Sequence, residues 1–316
     1  MVEGKAIGFE QYGGLEVLEE KHLNFELSEL HDVMIKIERA GVNPVDTMFR
    51  SGAMSGGRPL DHFWIPGSEV QGEIVAMKQP VDGLKIGDKV IGKPGRGGYA
   101  EYVALSHHNV FKVPAGMSLD EAAGFSGTAS TAYWGLHGGF YKIQPGQTIA
   151  VIGASGSVGS YLVQLLKAFD VKVIASASEA NREFVLSLGV DVFIDYKNPD
   201  QINEWAGTAD FVIDASLFNK GEKVALDLAK ENATYMGMTT LPDASLRPDV
   251  KRVFLSRTPE MTNELAMPAL FDFYEKHGLV IKIGYILPFT LEGVKEAHHI
   301  IDEERQAGKI ILSREM

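Results

Sequence analysis

Residues Thr148 to Leu166 read TIAVIGASGSVGSYLVQLL, and this stretch decides the fold. Ile149 to Ile152 is a short unbroken apolar run with β-branched residues, the pattern of a strand buried on both faces. Gly153-Ala154-Ser155-Gly156-Ser157-Val158-Gly159 is a glycine-spaced turn. Beyond it, Val158, Leu162, Leu165, Leu166 and Phe169 recur at helical spacing. A strand, a glycine turn and a helix in that order let backbone approach a pyrophosphate, and the helix start offers it free N–H groups and a positive dipole end. The candidates for that contact are Gly153, Ser155, Gly156, Ser157, Val158 and Gly159. The spacing is G-x-x-G-x-x-G rather than the strict G-x-G-x-x-G, and glycines so placed can also be simple turns.

The sequence that follows favours the nucleotide reading. Lys172 to Ser176 reads as a second strand, and Asn181 to Leu188 as a helix ending at Gly189. Val192–Ile194, Asp210–Asp214 and Ala233–Met236 read as three more strands. Strands alternating with helices at this spacing predict an α/β domain with a doubly wound parallel sheet.

The chain has 316 residues, enough for two domains, and 45% of them are apolar. A net charge of −12 argues against nucleic acid or an anionic membrane as main partner. There is no apolar run long enough to span a bilayer, and MVEGKAIGFEQYGG has no signal-peptide pattern. Cysteine is absent, which excludes disulfides and thiolate chemistry. These features fit a cytoplasmic protein.

Residues 1–120 differ from the middle of the chain. Short β-type runs are separated by glycine, proline and acidic turns, and Val33-Met34-Ile35-Lys36-Ile37-Glu38 alternates with period two. This predicts an all-β barrel or sandwich. Residues 52–61 (GAMSGGRPLD) read as a mobile loop. Ser118 to Glu121 matches a capping box and opens the first helix, where the domain boundary is expected. Pro268–His277 reads as a helix. Ile281–Leu287 and Ile310–Leu312 read as strands around a helix at Leu291–Glu303. The expected division is 1–120, 121–277, and a return of 278–316 to the first domain.

Several separated segments resemble the medium-chain dehydrogenase/reductase superfamily, and within it the zinc-free quinone oxidoreductase and enone reductase branch. They are KAIGFEQYGGLEVLE near the start, AGVNPVDTMFRSG at 40–52, IPGSEVQGEIVA at 65–76, GDKVIG at 87–92 and GGYAEYV at 97–103, then the GASGSVG turn, LGVDVFIDY at 188–196 and GKIIL at 308–312. The resemblance implies a GroES-like β-barrel domain built from both chain ends, a Rossmann domain, an active site in the cleft between them, and a homodimer through Rossmann edge strands. Zinc-bearing members carry a cysteine where this chain has Asn43, and Gly-His-Glu where it has Gly67-Ser68-Glu69. A short link, Lys93 to Gly97, replaces their four-cysteine lobe. No metal site is therefore expected. His107-His108 and His298-His299 are tempting pairs, but adjacent side chains diverge, and these read as surface or capping residues.

The end of the second strand decides the cofactor. NAD enzymes place an acidic residue there, whereas this chain has Ala175-Ser176-Ala177-Ser178. A carboxylate about 4 Å from a 2′-phosphate costs about 4 kcal/mol per unit charge at an effective dielectric near 20, so its absence admits NADPH, which is favoured over NADH. Ser176 and Ser178 can donate to the phosphate. Arg182 can pair with it for about 1.5–3 kcal/mol, or be a solvated helix charge. Glu179 opposes it if turned inward. The resemblance adds Tyr196 to the adenosine phosphate pocket and Thr131 to the nicotinamide end, where Thr131 can equally be an ordinary helix residue. Gly237 is a candidate for close backbone approach to the cofactor. Ala215 and Ser216 are weaker candidates.

The chemistry implied is hydride transfer to a quinone or an α,β-unsaturated carbonyl. Without a Lewis acid, a simple ketone needs another electrophile. Asn43 is the candidate hydrogen-bond donor to substrate and Asp46 a nearby orienting group. The alternative is turn chemistry for Asn43-Pro44 and a structural cap for Asp46. Some relatives carry tyrosine or lysine where Met48 stands, so solvent is left to deliver the proton. Met48, Phe49, Met54, Phe63 and Trp64 form either an apolar wall for a planar substrate or core. Two functions remain open: an NADPH-dependent reductase, and a low-turnover NADP(H)-binding redox sensor or interaction protein.

Overall fold

The strand that precedes the glycine turn lies at the heart of a parallel sheet. In the computed structural model, which describes residues 1–217, 220–304 and 308–315, the strands run in chain order as follows. They are β1 (Val2–Gly8), β2 (Glu19–Phe25), β3 (Val33–Val42), β4 (Glu69–Met77), β5 (Lys89–Gly92), β6 (Tyr102–Leu105), β7 (Val110–Lys112), β8 (Thr148–Ile152), β9 (Lys172–Ala177), β10 (Val192–Asp195), β11 (Ala209–Asp214), β12 (Ala229–Gly237), β13 (Lys251–Phe254), β14 (Ile283–Pro288) and β15 (Lys309–Ser313). The chain divides into two units, one of Met1–Gly127 with Ile281–Met316 and one of Thr128–Val280.

In the second unit the sheet order is β10-β9-β8-β11-β12-β13, with every pair parallel. Ile149 to Ile152 of β8 are all buried, which a strand covered by helices on both faces requires. The strand order reverses between β8 and β11, the place where doubly wound sheets open a crevice for ligands. The helix Ser157–Leu166 follows β8 and buries every residue from Gly159 onward. Its one long polar group, Gln164, is satisfied: Nε2 donates to the carbonyls of Ser160 and Val280, and Oε1 accepts from Val280 N–H at 2.7 Å. The sixth strand, β13, is absent from the sequence reading. Its sequence is KRVF, four residues at a sheet edge with two charges, and it carries no apolar run.

In the first unit, seven strands form a mixed sheet of order β14-β15-β3-β4-β5-β7, with β6 also on β3. Only β14 and β15 run parallel. β1 and β2 form a separate antiparallel pair. The alternation read in β3 holds from Ile35 to Ile37, which are buried in the core with Val70, Ile74, Val90 and Leu312 while Lys36 between them is exposed; it fails at Met34, which is buried beside Val33. The fold class is therefore the expected one, a doubly wound Rossmann sheet with a second β domain. The capping box forms: Ser118 Oγ accepts from Glu121 N–H, and the Glu121 carboxylate accepts from Ser118 N–H at 2.8 Å. Its short helix, Leu119–Ala123, lies inside the first unit, which extends to Gly127 because that residue's N–H donates to buried Glu69 at 2.6 Å.

Candidate active site

The candidate residues form two groups, one in each unit. In the second unit, Gly153 takes a positive φ of 75°, and a Cβ there would lie 3.1 Å from Ser216 N, so the turns after β8 and β11 touch. A Cβ on Gly159 would lie 2.2 Å from the Gly153 carbonyl oxygen. Gly156 is the N-cap of the Ser157–Leu166 helix, and no side chain caps it. The first helical N–H groups are thus left to an anion. Ser155, Ser157 and Val158 are partly exposed on this rim.

The ends of β9 and β10 gather the other cofactor candidates. The Ser176 carbonyl accepts from both Gly153 and Ala154 N–H at 3.0 Å. Its buried hydroxyl has no partner among the described residues, so a donor stands unspent beside the glycine turn. Ser178 Oγ accepts from Asn181 Nδ2. Arg182 lies over the Phe193 ring, and its Nε donates to Glu179 at 2.6 Å. The acidic residue that threatened a phosphate is therefore Arg182's partner, in an exposed pair of the weak kind. Tyr196 is exposed and follows β10, with its N–H on the Ala177 carbonyl. An uncapped helix start, an orphaned serine hydroxyl and an arginine in a weak pair fit a nicotinamide dinucleotide.

Thr131 is partly exposed on the helix Ser126–His137. One turn further along the same face, a Cβ on Gly135 would lie 2.9 Å from Met238, just beyond Gly237, and 3.6 Å from Leu162. That face thus packs where β12 ends and against the Ser157–Leu166 helix. Gly237 itself is required locally, since a Cβ there would lie 2.0 Å from the Thr240 carbonyl.

In the first unit, Asn43 is the N-cap of the helix Pro44–Arg50, and Asp46 reaches back to accept Asn43 N–H at 2.8 Å. Asp46 also accepts from Gly67 N–H at 3.0 Å and Tyr99 O–H at 3.2 Å. Burial pushes the Asp46 carboxyl up to about 6. The Asn43 side chain also reaches into a buried polar cluster. Its Nδ2 donates to Glu69 at 2.9 Å and to Ser68 Oγ at 3.2 Å, and its Oδ1 accepts from Lys309. Lys309 and Glu69 form an ion pair whose side chains are 3% and 0% exposed.

His298 departs from its expected surface place: it is fully buried. Arg50 Nη1 lies 3.2 Å from its Nδ1, and Nε2 lies 3.4 Å from Tyr99 Oη. A guanidinium only donates, so Nδ1 accepts, Nε2–H donates to Tyr99, and Tyr99 donates to Asp46. Arg50 is tied on its other side to Asp302 at 2.7 Å. Burial, with Arg50 adding to it, pushes His298 down to about 3.

A pH dependence follows. Between pH 6.5 and about 3 the unfolded chain binds a proton at residue 298 that the native chain does not, so stability falls as pH falls. Asp46 acts oppositely between 3.8 and about 6, where the native state holds the extra proton and stability falls as pH rises. A His298→Gln variant keeps an acceptor for Arg50 and a donor for Tyr99 but cannot titrate. Urea unfolding from pH 7 to 4 should show the variant gaining on the parent by up to about 1.4 kcal/mol per pH unit below pH 6. Parallel curves would show that His298 is not held neutral.

The aromatic candidates are partly exposed rather than core. Phe49 and Trp64 pack with centroids 5.2 Å apart, Arg96 lies over Trp64, Lys21 lies over Phe63, and Met54 is exposed.

Two family models match the chain: the alcohol dehydrogenase GroES-like domain over residues 29–115 and zinc-binding dehydrogenase over 157–258. The chain belongs to the medium-chain dehydrogenase/reductase superfamily. It is an oxidoreductase, and the superfamily binds a nicotinamide cofactor. Quinone oxidoreductase of Lama guanicoe is 31% identical, over 98% of this chain and 97% of that protein. The 2-methylene-furan-3-one reductase of Solanum lycopersicum is also 31% identical, over 98% of this chain and 79% of that protein. The crystal structure of human synaptic vesicle membrane protein VAT-1 homolog-like protein superposes with a TM-score of 0.82 at 26% identity, over 100% of this chain and 99% of that one.

Among the described residues of this superfamily member, no group of three or more His, Cys, Asp or Glu is placed to hold a metal ion, and no helix is long and apolar enough to cross a membrane. One residue of the dinucleotide unit escaped sequence reasoning. Asp214, buried at the end of β11, accepts from Tyr235 O–H at 2.7 Å and from Ser216 N–H at 2.8 Å, which fixes the turn packed on Gly153. A carboxylate closing the apolar run DFVID was the available signal.

Proposed function

We propose that this oxidoreductase reduces a quinone or an α,β-unsaturated carbonyl with NADPH and without zinc. The observation that carries the cofactor choice is the end of β9. An unpartnered buried serine hydroxyl, a second serine and Arg182 stand there; of the two nearby carboxylates, Glu179 is turned onto Arg182 and Asp195, opposite Ala177, also acts on it. The acceptor class is supported by the similarity to the Lama guanicoe quinone oxidoreductase and the Solanum lycopersicum 2-methylene-furan-3-one reductase, and by the partly exposed Phe49 and Trp64 rings, which suit a planar substrate. Zinc independence is supported by Lys309, whose ammonium already neutralises Glu69 beside Asn43. When bound, the dihydronicotinamide supplies hydride from its C4. The chain contributes the helix start at Ser157 for the pyrophosphate, Ser176, Ser178, Arg182 and Tyr196 for the adenosine phosphate end, and Thr131 toward the nicotinamide. Asp46 holds the turn that carries Asn43, and solvent delivers the proton. The reading includes a cytoplasmic homodimer, for which β13 offers an outer edge with Phe254 exposed.

NADPH and NADH oxidation against 1,4-benzoquinone, 9,10-phenanthrenequinone, a short enone and a simple aldehyde tests the proposal. Turnover should be confined to the quinones or the enone and be faster with NADPH, and the purified protein should hold no stoichiometric zinc. Tight NADPH binding with no turnover would favour a redox-sensing role instead. Arg182→Ala should weaken NADPH binding about ten- to a hundredfold, the equivalent of about 1.5–3 kcal/mol, and leave NADH nearly unchanged. Equal losses for both would remove Arg182 from the phosphate.

A further inference from the structure

The amide of Asn43 has no donor left for a substrate. A lysine ammonium only donates, so the Asn43 atom facing Lys309 Nζ is the oxygen, and Nδ2 is turned to Glu69 and Ser68. Both Nδ2 hydrogens are spent inside the cluster, and the residue is buried. Ser68 is in a different state. Its Oγ accepts from Asn43, so its own O–H points elsewhere, and no acceptor meets it among the described residues. It is partly exposed, whereas Asn43, Asp46, Glu69 and Lys309 are all buried. Its backbone is pinned on both sides. Gly67 N–H donates to Asp46 at 3.0 Å and the Gly67 carbonyl accepts from Gly98 N–H at 2.9 Å, while Glu69 starts β4 with its carboxylate held by Gly127, Asn43 and Lys309.

We propose that the Ser68 hydroxyl donates the hydrogen bond to the acceptor's carbonyl oxygen as negative charge develops there, with Asn43 and Lys309 as its positioning residues. The inference rests on the reductase reading above. Every bond in the chain points the same way: Lys309 N–H to Asn43 oxygen, Asn43 N–H to Ser68 oxygen, Ser68 O–H outward. Each donor is polarised by the one before it, so the influence of a buried ammonium reaches a partly exposed hydroxyl. In the enone reaction, hydride carries two electrons to the β-carbon from the dihydronicotinamide, which is left as the cationic nicotinamide ring. The C=C pair shifts, and the carbonyl oxygen becomes that of an enolate bonded by Ser68. Water then protonates the α-carbon. A quinone ends as a hydroquinone monoanion that takes one proton from water. Ser68 keeps its own proton throughout, so no base is needed to restore it.

The test compares Ser68→Ala and Ser68→Thr with the parent in steady-state turnover of benzoquinone and a short enone, together with NADPH affinity and melting temperature. Ser68→Ala should lower kcat about a hundredfold for the enone, the scale of a lost oxyanion donor, and less for the more electrophilic quinone. Ser68→Thr should restore most of it, and NADPH affinity and melting temperature should stay at parental values. Titration calorimetry of the enone into the NADP⁺-loaded protein gives a readout without turnover: Ser68→Ala should weaken binding only a few-fold, because the bond strengthens as charge develops. Parental kcat on both acceptors in Ser68→Ala would overturn the proposal. A loss that threonine does not restore, or that tracks melting temperature, would do so too. A parent protein inert to every acceptor would overturn the reductase reading itself, and this proposal with it.

Discussion

A Lys309→Met chain is expected to lose about 3–5 kcal/mol of stability, and a Lys309→Met/Glu69→Gln chain to recover most of that loss. The first number is the cost of leaving one charge of a buried pair without its partner. Glu69 and Lys309 are among the most deeply buried charged residues described, and after Lys309 is removed the carboxylate keeps only the N–H of Gly127 and the amide of Asn43. Those donors do not replace an opposite charge. The recovery follows from the converse rule, that replacing both members of a buried pair by neutral groups of similar volume is close to neutral. Glutamine at residue 69 still accepts from Gly127. Urea midpoints for the parent, both single variants and the double variant complete the cycle. A Lys309→Met cost under about 1 kcal/mol, or a double variant no better than the single, would show that the pair is solvated.

Gly159→Ala carries the second large effect. A Cβ there would lie 2.2 Å from the Gly153 carbonyl oxygen and 2.8 Å from its carbonyl carbon. These are backbone atoms, so the strand-to-helix turn must move. Overpacking of this kind costs about 1–3 kcal/mol, and on the proposal that this turn cradles the pyrophosphate, NADPH affinity should fall about ten- to a hundredfold. Gly156→Ala is the control. Its nearest neighbour would be the Gly153 oxygen at 3.3 Å and its φ is −74°, so affinity should change only a few-fold. Titrations following nicotinamide fluorescence measure both. Similar losses at the two positions would mean that flexibility of the turn, and not the close packing of residue 159, governs binding.

Why some of this was legible in the sequence and some was not comes down to range. The glycine turn, the capping box at Ser118 and the alternation in β3 are fixed by residues a few positions apart, and each is a pattern before it is a structure. The pairing of Arg182 with Glu179 spans three residues, so the sequence held both partners but not the sign of their effect on a phosphate. The polar cluster around Asn43 was another matter. Lys309 opens a strand in GKIIL, and nothing nearby says that it reaches a residue 266 positions earlier. His298 looked like half of an exposed pair because its partner Arg50 lies 248 positions away. The absence of an acidic residue in Ala175-Ser176-Ala177-Ser178 at the end of β9 was readable, yet the unpartnered hydroxyl of Ser176 became visible only once the strands were paired.

The place of β15 in the first unit has a consequence for how the molecule comes into being. β15 lies between β14 and β3, and it brings the lysine that neutralises Glu69. A ribosome releases residues 128–280, a continuous and self-contained unit, before either β14 or β15 emerges. The nascent amino-terminal segment must therefore wait, with β3 unpaired along residues 39–42 on one edge and Glu69 lacking its lysine, while the parallel sheet forms after it. Quality control in the cell then has a sharp criterion. A chain halted short of Lys309 presents the whole of one unit joined to another that lacks β15.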